Sequence, residues 1–484
     1  MNPAQRATAP EDRIPFSQRI VYGLGAFVNN LLGAATGGMM IVLNLGFGVN
    51  PFLVGLLGAL PRLTDAFTDP VMGYISDHTR TRWGRRRPFI FAGAILAAIL
   101  FVVLWALPEG KGEMWYFWYF LVVSIVFFAA YTMFATPWVA LGYELTPDYH
   151  ERTRVMGTQN FIGQIAFTAA PWFLWIMNSG EIFQNELGEP DQVEGALGLA
   201  VVIGIVTIGL GILPAIFLRE RMADVARTEA AAHPRPGLVE SLKAFFSGFG
   251  VTLRSRPFQK LCLTAFLVFN GFMMVAAFQQ YVIIYHVAEG DQIAGAKWFG
   301  WAGTSGAVAN FLIVAGMTWL GTRIGKRKAL LFGISMSMLG FLLKWVCYRP
   351  DMPWLVLVPQ PFISFGLASL FTLVPAMIAD VCDADELETH ERREGMFGSI
   401  FWWMIKLGLS AALALSGYLL NFTGFDVDLG VDQTERTILL MRLFDIFVPV
   451  LTSAIALWAI YRFEITEDRA QEIRSQLEAR RGAV

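Results

Sequence analysis

Apolar stretches long enough to cross a bilayer recur along this chain, and no other feature restricts its fold as strongly. A spanning helix needs about 20 consecutive, mostly apolar residues. Counted on that length, helices fall near 20–46, 51–76, 88–107, 115–143, 155–178, 196–218, 258–287, 297–321, 328–347, 353–381, 395–421 and 437–462. Hydrocarbon offers no partner to a backbone N–H or C=O, so such runs must satisfy their own hydrogen bonds as helices. Only 16% of the 484 residues are charged and 55% are hydrophobic, whereas soluble chains are about 25% charged. The chain therefore reads as an all-α integral membrane protein of twelve transmembrane helices. A net charge of −2, with the basic residues in short loops, argues against a nucleic-acid partner.

The polar N-terminal stretch up to Arg19 lacks an apolar core with a cleavage site, so the first helix is read as its own targeting signal. Cys262, Cys347 and Cys382 lie in or beside apolar runs and read as small apolar residues. Lysine and arginine concentrate in the loops after helices 2, 4, 6, 8 and 10, which predicts both termini on the cytoplasmic side. The longest polar connection divides the chain into an N-terminal bundle (1–218), a cytoplasmic linker (219–257), a C-terminal bundle (258–463) and a tail (464–484) expected to be a solvent-exposed helix. Gly33 and Gly37, four apart on helix 1, are expected to allow close helix approach.

The halves repeat one another. TRTRWGRRRPFIFAGA follows helix 2 and GTRIGKRKALLFGIS follows helix 8, while acidic helix ends precede Arg-bearing starts after helices 4 and 10. Duplicated six-helix bundles of this kind are the architecture of a rocking transporter. A nucleophile–base pair, a phosphate loop and metal-ligand spacing are all missing from the sequence, so an enzyme is not expected, nor a cofactor beyond a coupling ion.

Ionisable groups inside spanning helices are costly and mark functional sites by default. Asp65 and Asp69 sit four apart in helix 2 and share a face, with Arg62 one turn earlier. An Arg62–Asp65 pair that only locks helices is the plainer reading, but one arginine cannot neutralise two carboxylates. Lys406 lies deep in helix 11 among Phe401, Trp402, Trp403 and Met404 and needs a partner. Lys344, near the end of helix 9, is read as snorkelling to the interface and of small consequence. Gln164, Gln279 and Gln280 are polar groups at membrane depth and candidate cavity liners.

These residues resemble the major facilitator superfamily, specifically its glycoside–pentoside–hexuronide:cation symporters. The resemblance rests on Tyr22–Phe27, on Asp65 through Gly73, on Thr81 through Pro88, and on Ala379–Val381 through Gly395 with Lys406. The basic loop is also similar to that of proton-coupled sucrose transporters. The resemblance implies cation-coupled uptake of a sugar, by a monomer in a bacterial-type inner membrane among its lipids. It places the cation at Asp65, Thr68, Asp69 and Thr132, with Arg62 as charge partner. Ala135 stands where the family has a further aspartate, and Thr68 where the prototype has asparagine.

Substrate contacts carried over from the family fall on Asn30 and Asn160, which replace charged residues, on Phe371, on Tyr131 and Trp138, and on Lys406; Gln164 joins them as a liner. Asp77, Gly84, Arg85, Arg86, Arg87, Asp380 and Arg393 read as a cytoplasmic gate, the arginines pairing with acidic helix ends; the alternative for them is topology alone. Sodium is favoured over a proton by the oxygens available, although two neighbouring carboxylates also suit a proton. Sodium-coupled lysophospholipid transporters share this fold and are the alternative function.

Overall fold

The computed structural model describes residues 13–145, 149–179, 183, 191–218, 220, 254–389 and 394–481. Twelve long helices correspond to the twelve apolar runs: α1 (Phe16–Gly38), α2 (Pro51–His78), α3 (Arg87–Trp105), α4 (Glu113–Glu144), α5 (Tyr149–Ala169), α6 (Gln192–Gly211), α7 (Arg256–Val282), α8 (Gln292–Ile324), α9 (Lys326–Cys347), α10 (Pro359–Thr389), α11 (Glu394–Phe422) and α12 (Glu435–Tyr461). A thirteenth, α13 (Glu467–Arg481), forms the tail. Among the described residues ten helical segments are long and apolar enough to span a membrane on composition alone. The two long helices that fall short are α2, which carries Arg62, Asp65, Asp69 and Asp77, and α5, which begins in the polar run Tyr149–Arg154.

Helix ends follow local chemistry. Asp191 before α6 accepts from the N–H groups of Val193 and Glu194, and Asp291 before α8 does the same for Ile293 and Ala294, satisfying donors that a first turn leaves open. Pro137 and Pro375 are carried inside α4 and α10. At Pro171 the chain passes through a short 3-10 turn, Ala170–Trp172, before the helix resumes at Phe173–Met177. Beyond α7 a π-turn, Ile283–Val287, widens the helix locally.

The chain divides into two compact units, one comprising 1–49 with 60–241, the other 50–59 with 242–484. Within the first, α1 packs on α5 and α6, and α3 on α4 and α6. Within the second, α7 packs on α11 and α12, and α9 on α10 and α12. Each contact between helices n and m of the first unit thus recurs between n+6 and m+6 of the second.

One bond makes the repeat explicit. Asn30 Nδ2 on α1 donates to the Gly163 carbonyl on α5 at 3.0 Å, and Asn270 Nδ2 on α7 donates to the Gly408 carbonyl on α11 at 3.1 Å.

Two expectations need correction. The tail helix is not fully solvated: Ile473 and Leu477 are buried in the second unit's core, and α13 packs on α10. Its isoleucine and leucine, four apart, form one apolar face, which is burial spacing. Gly33 and Gly37 mark no tight crossing, since a Cβ on Gly33 would come no nearer than 4.0 Å to Tyr131 and one on Gly37 would meet nothing within 4 Å.

One close crossing lies instead at Gly93, where a Cβ would stand 2.5 Å from the backbone nitrogen of Phe134. Gly93→Ala should force α3 and α4 apart and cost about 1–3 kcal/mol. Gly37→Ala should be neutral. A thermal melt of both variants in detergent checks the pair, and equal midpoints would show that α3 and α4 tolerate separation.

Candidate functional site

In the first unit, Asp65 is buried at 6% exposure and Asp69 is half-buried one turn further along α2. Asp69 Oδ1 accepts from Thr132 Oγ1 at 3.2 Å and from Thr136 Oγ1 at 3.4 Å, while Thr68 and Thr132 hydroxyls lie 3.4 Å apart. The i, i+4 spacing of Thr132 and Thr136 sets both hydroxyls on the face of α4 that meets Asp69. Arg62 directs Nη2 toward the Gly33 carbonyl at 3.5 Å, and its guanidinium lies 5.2 Å over the Phe128 ring. The structure therefore brings Thr68, Asp69 and Thr132 together and adds Thr136, whose spacing from Thr132 was the available signal.

Beside this cluster runs a polar strip. Tyr131 donates to Asn29 Oδ1 at 2.8 Å, Asn29 Nδ2 to Asn30 Oδ1 at 3.2 Å, and Asn30 Nδ2 to Gly163. On α5, exposed Asn160 lies 3.5 Å from the Gln164 amide nitrogen. Asn29 escaped the sequence reading although it is the link between Tyr131 and Asn30. Trp138 stands apart: it is 1% exposed, its ring stacks on Tyr22 and Phe134, and Nε1 donates to the Tyr22 carbonyl. With both faces covered, it packs α4 against α1 and offers no ring face to a sugar.

In the second unit, Phe371 stacks on Trp402, with centroids 6.0 Å apart and 15° between the planes, and both rings are exposed. Lys406 follows Trp402 by one helical turn and is half-buried, so the indole and the lysine share a face of α11.

Lys344 overturns the snorkelling expectation. It is wholly buried, Nζ lying 3.0 Å from each carboxylate oxygen of Asp445 and 3.2 Å from Gln279 Oε1. The partner lies 101 residues later in the chain, beyond the reach of local pattern.

The basic turns are held inside their own units. Gly84 has φ +106°, and the Glu220 carboxylate accepts from the backbone N–H groups of Arg85, Arg86 and Arg87 at 2.9–3.1 Å. That places an anion on the positive end of α3. Arg87 in turn donates to the carbonyls of Ala215 and Ile216. In the second unit Gly325 has φ +87°, a Cβ there would lie 2.9 Å from Glu467 Oε2, and Arg327 donates to the carbonyls of Ile460 and Tyr461.

Asp380 pairs with Lys326 at 2.7 Å, and Glu151, fully buried, pairs with Arg19 and Arg154. Arg393 and the side chain of Asp77 lie outside the described residues. Glu220, Glu467 and Glu151 carried no sequence signal beyond their charge.

With this geometry in view, comparison with known proteins is informative. The family described as MFS/sugar transport protein matches residues 21–467. The chain belongs to that family. A relative from Lactiplantibacillus pentosus, the isoprimeverose transporter, is 23% identical, with 94% of this chain and 91% of the relative covered. The sodium-dependent lysophosphatidylcholine symporter 1 of Gallus gallus is 25% identical, with 98% and 91% covered. Among solved structures, an inward-facing bacterial homologue of the human lysosomal transporter Spinster aligns with a TM-score of 0.67 at 14% identity, covering 94% of this chain and 98% of that one. That likeness concerns the fold. For this member of the MFS/sugar transport family, the α2–α4 cluster is the candidate coupling site.

Thr132 meets both Asp69 and Thr68, whereas Thr136 meets Asp69 alone. Thr132→Val should therefore raise the cation concentration for half-maximal transport about 10-fold, or about 1.4 kcal/mol, and Thr136→Val about 3-fold. Equal effects in a cation titration of uptake would show that Thr68 adds nothing.

Proposed function

We propose that the protein is a secondary active symporter that takes up a glycoside or oligosaccharide with a cation, by alternating access between two six-helix bundles. The observation that carries this reading is the division of labour on α4. Tyr131 bonds the asparagine strip of α1, and the adjacent Thr132 bonds Asp69 of α2. A charge arriving at the carboxylates therefore acts on the residue next to the one that orders the strip. Coupling requires such a differential interaction between the two sites.

The amides of Asn29, Asn30, Asn160 and Gln164 both donate and accept hydrogen bonds, as sugar hydroxyls do. Phe371 and Trp402 supply an aromatic face suited to a sugar's C–H side. Sodium is the ion we favour: it takes several oxygens, and Asp69 with Thr68, Thr132 and Thr136 supplies them within one cluster, Asp65 lying one turn away. The strip supports a hydroxyl-rich solute over the lysophospholipid that the Gallus gallus relative's name gives. The lysine and arginine distribution supports cytoplasmic termini in a bacterial-type plasma membrane, and a single chain supplies both units, in keeping with a monomer.

Thermal stabilisation of the purified protein by di- and trisaccharides, against lysophospholipids, tests the substrate class. A shift with lysophospholipid alone would overturn the sugar reading. Uptake into proteoliposomes under separately imposed sodium and pH gradients tests the ion, and accumulation driven by pH with no response to sodium would replace sodium by the proton. Asp65→Asn and Asp69→Asn should each abolish accumulation while retaining solute exchange; full accumulation in both would remove the site.

A further inference from the structure

The second unit holds an ion pair that the coupling site does not use. Lys344 on α9 and Asp445 on α12 are 0% and 1% exposed, and the ammonium also donates to Gln279 on α7. Three helices thus meet at one nitrogen. Two rings flank it, Lys344 Nζ lying 5.8 Å from the Phe341 ring centroid and 5.4 Å from that of Tyr348, and Arg442 on α12 donates to the Trp345 carbonyl at 3.2 Å. The Tyr348 hydroxyl is met by the Gln360 amide, and its carbonyl by His286.

Stability alone gives a weak account of the pair. Desolvating two charges costs about as much as their attraction returns, so an apolar pair of similar volume would hold the helices comparably well. At membrane depth such groups carry a functional expectation. The bonding pattern indicates which. An ammonium has three donors and no acceptor; here two meet the Asp445 oxygens and the third meets Gln279 Oε1. The amide oxygen of Gln279 is therefore fixed, and with it the direction of its NH2 group. Gln279 and Gln280 sit on the last turn of α7, their carbonyls accepting the N–H of Ile283, where the π-turn begins.

We propose that Lys344 and Asp445 are positioning residues for solute recognition, acting through Gln279, whose NH2 group they aim as a donor for a substrate hydroxyl. The proposal rests on the transport reading above. Asp445 directs the lysine, and the lysine selects one of the two orientations an amide could otherwise adopt.

Single replacements leave a buried charge without its partner and are poor tests. The informative variants are the double apolar exchange Lys344→Met/Asp445→Leu, the charge swap Lys344→Asp/Asp445→Lys, Gln279→Leu, and Gln279→Leu in the double background. The probe is a panel of p-nitrophenyl glycosides and lysophosphatidylcholine, the compound used for kinetics being the one that most stabilises the wild-type protein.

The double exchange should keep its thermal midpoint within a few degrees and its maximal rate within about 2-fold, while KM rises about 10-fold. Gln279→Leu should raise KM equally and add nothing in the double background. The charge swap, which puts a carboxylate opposite the amide oxygen, should also raise KM, and this arm decides the matter if the apolar pair does not fold. Wild-type KM in the double exchange, in the swap or in Gln279→Leu would overturn the proposal. A wild-type response to lysophosphatidylcholine alone would overturn the glycoside reading, and the same variants would then be scored with that lipid.

Discussion

An ionised side chain within an apolar helix bundle must be met by an opposite charge, a dipole or a set of hydroxyls, and this constraint organises both units. In the first unit the hydroxyls of Thr132 and Thr136 bond the Asp69 carboxylate on α2, and Arg19 and Arg154 meet Glu151. The second meets it with a direct ion pair, Lys344 with Asp445. The two solutions differ in consequence. Hydroxyls solvate a carboxylate with neutral dipoles. A salt bridge cancels the charge and fixes geometry instead.

Repetition between the units extends below the level of helix order. The Asn30–Gly163 and Asn270–Gly408 bonds occupy corresponding places, and so do the arginine contacts of Arg87 and Arg327 with the carbonyls that end α6's extension and α12. Such brackets join helices whose apolar faces have no hydrophobic reason to prefer each other over lipid. The repeat breaks at the charged residues. Nothing in the second unit's α8 matches Asp65 and Asp69, and nothing in the first unit's α3 or α6 matches Lys344 and Asp445.

What could be read from the sequence follows from the range of each signal. Helix count and the pairing of Asp69 with α4 were legible because apolar length, helical period and a family motif are local or carried over whole. Lys344 was misread because its partner belongs to another helix with no motif to announce it. Trp138 was misread because alignment gives a position and not the two rings that cover its faces. The tail helix was misread as exposed because its Ile473 and Leu477 are few among many charges, yet their spacing alone decides which face is buried. Glu220 could not be anticipated at all: its role lies in accepting three backbone N–H groups, and backbone donors leave no mark in a sequence.

Glu220 has one more implication, for how the chain is made. It returns to cap α3 after α6 has ended. A ribosome that has released residue 220 has released every part of that clasp, with α7 still to be synthesised. In the second unit the Glu467 carboxylate, arriving after α12, likewise lies against Gly325. Each basic turn is thus met by an acidic residue that the chain supplies only after that unit's last spanning helix.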